Sequence, residues 1–512
     1  MSSFPIFNIF LVTLVLLAKS NTLEEDTVNM LVILPKDNTY MFSIDRVKPA
    51  IEYALRTVKG NDSLLPGVTF SVTYQNSDCG NTALFNLVDT AVQLQKPDVI
   101  LGPVCEYAAA LVARLASHWN IPMVSAGALA TGFTHKAEEY THLTRVSPAY
   151  SKMGEMFLAM FKYHQWDRAM LLYSDDKLER NCYFTIEGVH QSFKEEGYTM
   201  NVQDFDETKH VDAEGIVHSI KSEGERGQSS ERILVIMCAS SDTVRNIMLA
   251  AHRQGMTNCN CVFFNIELFN SSTYGNGSWK RGDKYDLEAK KAYSSLQTVT
   301  LLRSVKPEFE TFSIEVKRSV QKLILNDDDY VNMFVEGFHD AIILYALAFH
   351  EILKSGLSKK DGAKVVQQMW NRTYEGIAGP VSIDANGDRY GDFSVIAMTD
   401  PEAGTQEVIG DYYGLQGRFD MRSNVKLPWG HGRLKIDYPK TDQGNTCKSC
   451  GLGESAVTGI VVGAFLGTGL LMTFYFFRKK YRITIERRNR QDDIGKHRQL
   501  REDSIRSHFS AA

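Results

Sequence analysis

Residues 456–477 run without one charged side chain, and that run constrains everything around it. A bilayer core is about 30 Å thick and a helix rises about 1.5 Å per residue, so the run is long enough to cross as a helix. Inside lipid each backbone N–H and C=O needs an internal partner, which a helix supplies. A large region stands before the run, and only residues 478–512 follow it. Arg478, Lys479, Lys480 and Arg482 come directly after it, whereas Glu454 is the nearest charge before it. That asymmetry places the tail in the cytoplasm and the large region outside the cell or in the lumen.

The N-terminus supports the same orientation. Residues 6–18 form a short apolar stretch, and Ala18-Lys19-Ser20 offers small residues for cleavage, so residues 1–20 read as a signal peptide. No Lys or Arg precedes that stretch, which keeps a second anchor as the rival reading. Asn61, Asn270, Asn276 and Asn371 each open an Asn-x-Ser/Thr triplet upstream of the span, and no such triplet follows it. The expected protein is single-pass, type I, in the plasma membrane, with a glycosylated exterior.

Charge is divided between the two sides. The tail carries eleven Lys/Arg against five Asp/Glu, a balance of +6, which leaves −11 for the rest of a chain whose formal charge is −5. An acidic exterior disfavours nucleic acid and mildly favours a cationic ligand, although ordinary solubility accounts for it equally well. There are eight cysteines. An oxidising compartment makes disulfides the default, but counting does not assign partners. Cys79 precedes a predicted helix and Cys105 follows the next strand, compatible with a local bridge. Cys182 opens a helix and Cys238 ends a strand one unit later. Cys447 and Cys450 lie in a polar stretch just before the membrane. Zinc would need further ligands there and none is present, so linking two chains is the better reading.

From about residue 27 to 420 the chain repeats a strand-then-helix rhythm. Residues 29–34, 69–77, 98–102 and 121–125 read as strands, with a helix over 45–58. After Pro148 the rhythm restarts at 169–173, 233–237 and 262–266. Such alternation predicts α/β structure with parallel sheets. The length predicts two lobes rather than one: about 27–147 with 325–373, and about 148–324 with 374–421, together an ectodomain over 21–421. Long helices are expected at 309–325 and 331–354, and strands over 381–415, with Asn386-Gly387 as a hairpin turn. Residues 422–454 read as a stalk, 455–477 as the transmembrane helix and 478–512 as the tail.

Enzyme and metal motifs fail on inspection. No Gly-x-x-x-x-Gly-Lys-Ser/Thr or Gly-x-Ser-x-Gly run exists. Asp384 to Asp388 imitates a calcium loop, yet Arg389 and Val395 stand where that loop needs Gly and Glu. His350-Glu351 begins a zinc-protease motif, but Lys354 occupies the second histidine position. Neither catalysis nor a metal is expected. Within the span, Gly459, Gly463 and Gly467 share one helix face, with Gly469 nearby, and small residues at that spacing let two helices approach closely. With Cys447 and Cys450 just outside, a homodimer is the expectation.

Four segments carry a family resemblance: residues 101–110 (Leu-Gly-Pro-Val-Cys-Glu-Tyr-Ala-Ala-Ala), 116–119 (Ala-Ser-His-Trp), 332–340 (Asn-Met-Phe-Val-Glu-Gly-Phe-His-Asp) and 369–373 (Met-Trp-Asn-Arg-Thr). They resemble the ligand-binding domain of natriuretic peptide receptors. The span and tail, ending in Arg501-Glu502-Asp503-Ser504-Ile505-Arg506-Ser507-His508-Phe509, are similar to the family's short-tailed, type C or clearance branch. The resemblance implies a two-lobed, type I periplasmic-binding-protein-like ectodomain that binds disulfide-ringed, Arg-containing peptides between two receptor copies. It assigns peptide contact to Tyr107, Arg114, Glu139, Tyr140, Tyr183, Phe184 and Glu187, where aromatic faces and carboxylates would receive apolar and guanidinium groups. It also implies a chloride ion held by the Ser77 hydroxyl and the N–H groups of Val104 and Cys105, intrachain bridges Cys79–Cys105 and Cys182–Cys238, and interchain links through Cys447 and Cys450. Cys259 and Cys261 fall outside the branch's pattern and leave open a closely related short-tailed sister form.

The tail holds two basic clusters, one of Arg487, Arg488 and Arg490 and one of Lys496, His497, Arg498 and Arg501. Such clusters dock on acidic lipid or on protein, and the resemblance adds contact with an inhibitory G protein. The leading expectation is a hormone receptor that clears peptide by internalisation and couples to that G protein. A solute-binding or adhesion ectodomain without signalling is the alternative.

Overall fold

A computed structural model describes residues 27–423 except 167, 227–232, 259–260, 269–276, 303–305 and 323–330, together with Tyr475. Its strands form two eight-stranded sheets. In the first lobe β1 (Thr27–Leu34), β2 (Thr69–Asn76), β3 (Val99–Leu101), β4 (Met123–Ser125) and β5 (Leu143–Pro148) run parallel in the order β5-β4-β3-β1-β2. In the second, β6 (Arg168–Ser174), β7 (Thr199–Phe205), β8 (Ile233–Cys238), β9 (Cys261–Ile266) and β10 (Leu296–Leu301) repeat that order as β10-β9-β8-β6-β7. Helices cover both faces of a parallel sheet, which is why β1 and β9 are apolar nearly throughout and buried. The edge strands β2 and β7 are partly solvated and alternate.

The helices between these strands are α1 (Ile44–Lys59), α2 (Thr82–Gln93), α3 (Glu106–Trp119), α4 (Tyr150–His164), α5 (Asn181–Glu195), α6 (Ala213–Arg226), α7 (Ser241–Arg253) and α8 (Asp286–Tyr293). Next come α9 (Pro307–Gln321), α10 (Met333–Lys354) and α11 (Gly362–Met369). The long, buried α10 starts at an Asn332 cap whose side chain accepts from the N–H groups of Phe334 and Val335 and donates to the Met41 carbonyl.

The lobe boundaries differ from the sequence reading at two places. First, α9 belongs with the first lobe rather than with a second lobe over 148–324. Its buried Phe312 meets Tyr53 of α1 and His339 of α10, at centroid distances of 5.3 and 5.2 Å, and Glu315 pairs with Arg56. Second, the chain does not leave the first lobe at 373. The strands β11 (Arg372–Gly376), β12 (Gly379–Ile383) and β13 (Asp388–Arg389) extend the first sheet, and β13 pairs with β5. Only β14 (Phe393–Asp400), β15 (Thr405–Tyr413) and β16 (Arg418–Met421) join the second sheet.

The attraction that holds β13 is electrostatic. Asp388, buried, pairs with buried Lys136 at 2.9 Å and with fully buried Arg145 at 2.6 Å. Burial alone would push the Asp388 carboxyl up, but the two cations outweigh it and hold it well below the usual range. Burial also brings Lys136 down to about 8. Arg145 Nη1 donates to the carbonyls of Ala128 and Ala130, so the cluster fixes the 128–136 loop. The turn at Asn386-Gly387 forms as expected, with Gly387 at φ +76 and the Asp384 carboxylate accepting from the N–H groups of Asn386 and Asp388.

Among the described residues no helix is long and apolar enough to cross a membrane. Apart from Tyr475, the 456–477 run lies outside those residues, as do Cys447, Cys450, the Gly459 seam, the tail clusters, Asn270, Asn276 and Cys259.

Candidate ligand-binding face

In open parallel sheets, ligands gather at the carboxyl ends of strands where the strand order reverses. Here those points lie between β1 and β3 in one lobe and between β6 and β8 in the other. A disulfide stands at each. Cys79–Cys105 ties the loop after β2 to the start of α3, and Cys182–Cys238 ties the start of α5 to the end of β8, both with Cα atoms 5.3 Å apart. Gly102 lies between β3 and α3 at φ +77, where a Cβ would come within 2.6 Å of the Ile33 carbonyl oxygen. Only glycine fits there.

The start of α3 is held from inside. Glu106 is buried and accepts from the N–H groups of Leu129 (3.0 Å) and Ala130 (3.2 Å). Burial pushes its carboxyl up to about 7, opposed by those two bonds and by the charge of Arg145. Its neighbour Tyr107 faces outward, 49% exposed. Arg114 lies two turns along the same helix face. It donates Nε and Nη2 to Glu139 and lies 5.0 Å from the Tyr140 ring. Tyr140 itself is only 6% exposed and packs on Phe133, so it is a floor beneath Arg114 more than a surface.

From the second lobe, α5 presents Tyr183, Phe184 and Glu187. Phe184 meets Tyr107 edge-on at 6.0 Å and Tyr183 at 5.2 Å. The Tyr183 hydroxyl is 3.5 Å from a Glu187 oxygen, and Thr131 of the first lobe donates to the other at 3.3 Å. All seven residues expected at the ligand therefore fall into two touching groups. Tyr107 with Tyr183, Phe184 and Glu187 spans the lobes, and Arg114 with Glu139 and Tyr140 sits farther along α3. The spanning group combines aromatic edges with one carboxylate, a surface suited to apolar and guanidinium groups.

Sequence reasoning passed over Arg180, Asp175, Thr131 and Glu106. One local signal existed: in Asp175-Asp176-Lys177-Leu178-Glu179-Arg180, paired Asp residues after a strand favour a side-chain-bonded turn. Such a turn forms, with Asp176 accepting from the N–H groups of Leu178 and Arg180. Elsewhere, Ser77 is fully buried and its hydroxyl accepts from the Cys79 N–H at 3.3 Å. Val104 and Cys105 directly precede the first turn of α3, with Cys105 as its cap. The sequon residues Asn61 and Asn371 are exposed, and Cys261 is buried at the start of β9.

The two lobes with paired switch-point loops are those of a receptor ectodomain: residues 46–400 match the family described as the receptor family ligand binding region. The chain is 68% identical to atrial natriuretic peptide receptor 3 of Rattus norvegicus over 501 residues, 96% of this chain and 92% of that one. Against the receptor 3 of Homo sapiens the identity is also 68%, over 96% of this chain and 91% of the relative. Atrial natriuretic peptide receptor 2 of Anguilla japonica is 29% identical over 93% of this chain but only 45% of its own length. The chain belongs to the atrial natriuretic peptide receptor family, and it is a receptor rather than an enzyme.

Proposed function

We propose that this chain binds a natriuretic peptide on the face formed by α3 and α5. The observation that carries the reading is the meeting of Tyr107 with Phe184 across the lobes, beside the Glu187 carboxylate. Aromatic edges receive the peptide's apolar side chains, and Glu187 with Glu139 receives its guanidinium groups. The relatives named as receptor 3 align over nearly all of the chain and support the same ligand class.

Beyond binding, the chain clears its ligand by internalisation at the plasma membrane and couples to an inhibitory G protein through Arg487, Arg488, Arg490, Lys496, His497, Arg498 and Arg501. It acts as a homodimer linked at Cys447 and Cys450 and along the Gly459, Gly463 and Gly467 face of its span. A chloride ion sits at Ser77, Val104 and Cys105. The residue types suit an anion, since Ser77 carries a buried hydroxyl and Val104 and Cys105 precede a helix start, where the dipole favours negative charge.

Cells expressing the chain should bind labelled peptide, take it up and degrade it. Replacing Arg487, Arg488, Arg498 and Arg501 with Ala should abolish G-protein coupling and spare uptake. Coupling that persists would remove the tail from the account, and absence of peptide binding would remove the account itself.

A further inference from the structure

The loop between β6 and α5 is organised around one cation. Arg180 has a left-handed backbone, φ 57, held by its N–H bond to Asp176. Its guanidinium donates Nε and Nη2 to the two oxygens of Asp175, at 3.0 and 2.8 Å. Asp175 is almost wholly buried and also accepts from the backbone and side chain of Lys177. The Arg180 side chain is thus fixed at both ends. Its guanidinium carbon lies 3.8 Å from the centroid of the Tyr183 ring, at stacking distance. Tyr183 meets Phe184, and Phe184 meets Tyr107 of the other lobe, whose hydroxyl is near enough to help hold the guanidinium in its charged form. The preceding residue, Glu179, lies near Tyr40 of the first lobe, whose hydroxyl is pushed up by burial and by the Glu179 charge.

We propose that Arg180 is a positioning residue for peptide binding: a fixed cation that latches Tyr107 of the first lobe to the Tyr183–Phe184 pair of the second, so that the peptide meets a preassembled face. The inference rests on the peptide-binding reading above. It has a chemical consequence. With one face of Tyr183 already covered by Arg180, a peptide guanidinium is directed to Glu187 and to the exposed ring of Tyr107. A lysine would not substitute, because an ammonium has neither the planar fork for Asp175 nor the flat surface for Tyr183.

The test is peptide-binding kinetics on the full-length chain in membranes, with labelled natriuretic peptide. We expect Arg180→Ala to weaken binding about tenfold, mainly through faster dissociation, because preorganisation is lost. Arg180→Lys should recover little of that loss. Tyr107→Phe, which keeps the ring and removes the hydroxyl, should weaken binding in the wild-type background and have no further effect alongside Arg180→Ala. Thermal melts of the purified ectodomain separate this pattern from loss of fold. Wild-type affinity in Arg180→Ala, or the same penalty for Tyr107→Phe in both backgrounds, would overturn the latch alone. A wild-type chain that binds no peptide would overturn the peptide reading and the latch with it.

Discussion

Arg114 places Nε and Nη2 against one carboxylate oxygen of Glu139, at 3.0 and 2.6 Å, and so neutralises an acid on the ligand face before any ligand arrives. Both side chains are about half exposed, and such pairs contribute only about 0–1 kcal/mol to stability. Their roles toward an Arg-containing peptide have opposite sign. Glu139→Ala should slow association, more so at low salt, whereas Arg114→Ala leaves Glu139 unneutralised and should not slow it. Association rates at two ionic strengths check this, with melting temperatures within a degree or two of wild type.

Glu106 makes stability depend on pH. Burial raises its folded carboxyl from 4.5 to about 7, so the folded state holds the proton more tightly than the unfolded chain. That contribution is fully present below about pH 4.5 and is lost as pH rises through about 7. Glu106→Gln keeps an oxygen to accept from Leu129 and Ala130 but cannot titrate. Relative to that variant, the wild-type ectodomain should lose stability across this window, on the order of 3 kcal/mol at most. A stability difference that stays constant with pH would show that Glu106 does not titrate there.

Asp388 pairs with both buried Lys136 and buried Arg145. Removing one partner of a buried ionic cluster costs about 3–5 kcal/mol, because the charge left behind has no compensation. Asp388→Asn should lower the urea midpoint of the ectodomain accordingly. It should also loosen the 128–136 loop and, with it, Thr131 against Glu187.

How much of this was legible beforehand depended on whether the signal was local. Strands β1, β8 and β9 are apolar runs covered on both faces, and their positions followed from the residues alone. The edge strand β7 is half exposed and has no such run. The lobe boundaries were misread because α9 and β11–β13 are assigned by partners far away in sequence, such as Tyr53 for Phe312 and Arg145 for Asp388. The ligand-face residues came from family resemblance, and no periodicity would have paired Tyr107 with Phe184. Arg180 went unnoticed for the same reason, since its importance lies in contacts with both lobes.

Gly188 lies one residue past Glu187, where α4 and α5 pack closely. A Cβ there would come within 2.7–2.8 Å of Tyr150 backbone and side-chain atoms. Gly188→Ala should cost about 1–3 kcal/mol by overpacking and should displace Phe184 and Glu187 on the adjoining turn. Stability and peptide affinity are expected to fall together, as urea titration and equilibrium binding would show.

The central claim is that Phe184 and Glu187 form a peptide-binding face with Tyr107, and equilibrium binding of labelled natriuretic peptide to purified ectodomain tests it most directly. Wild type should bind saturably, and Phe184→Ala with Glu187→Gln should weaken binding by tenfold or more, on the order expected for central anchors, while a cooperative melt is retained. Saturable binding that is undiminished in the double variant, or no saturable binding by wild type, would contradict the account.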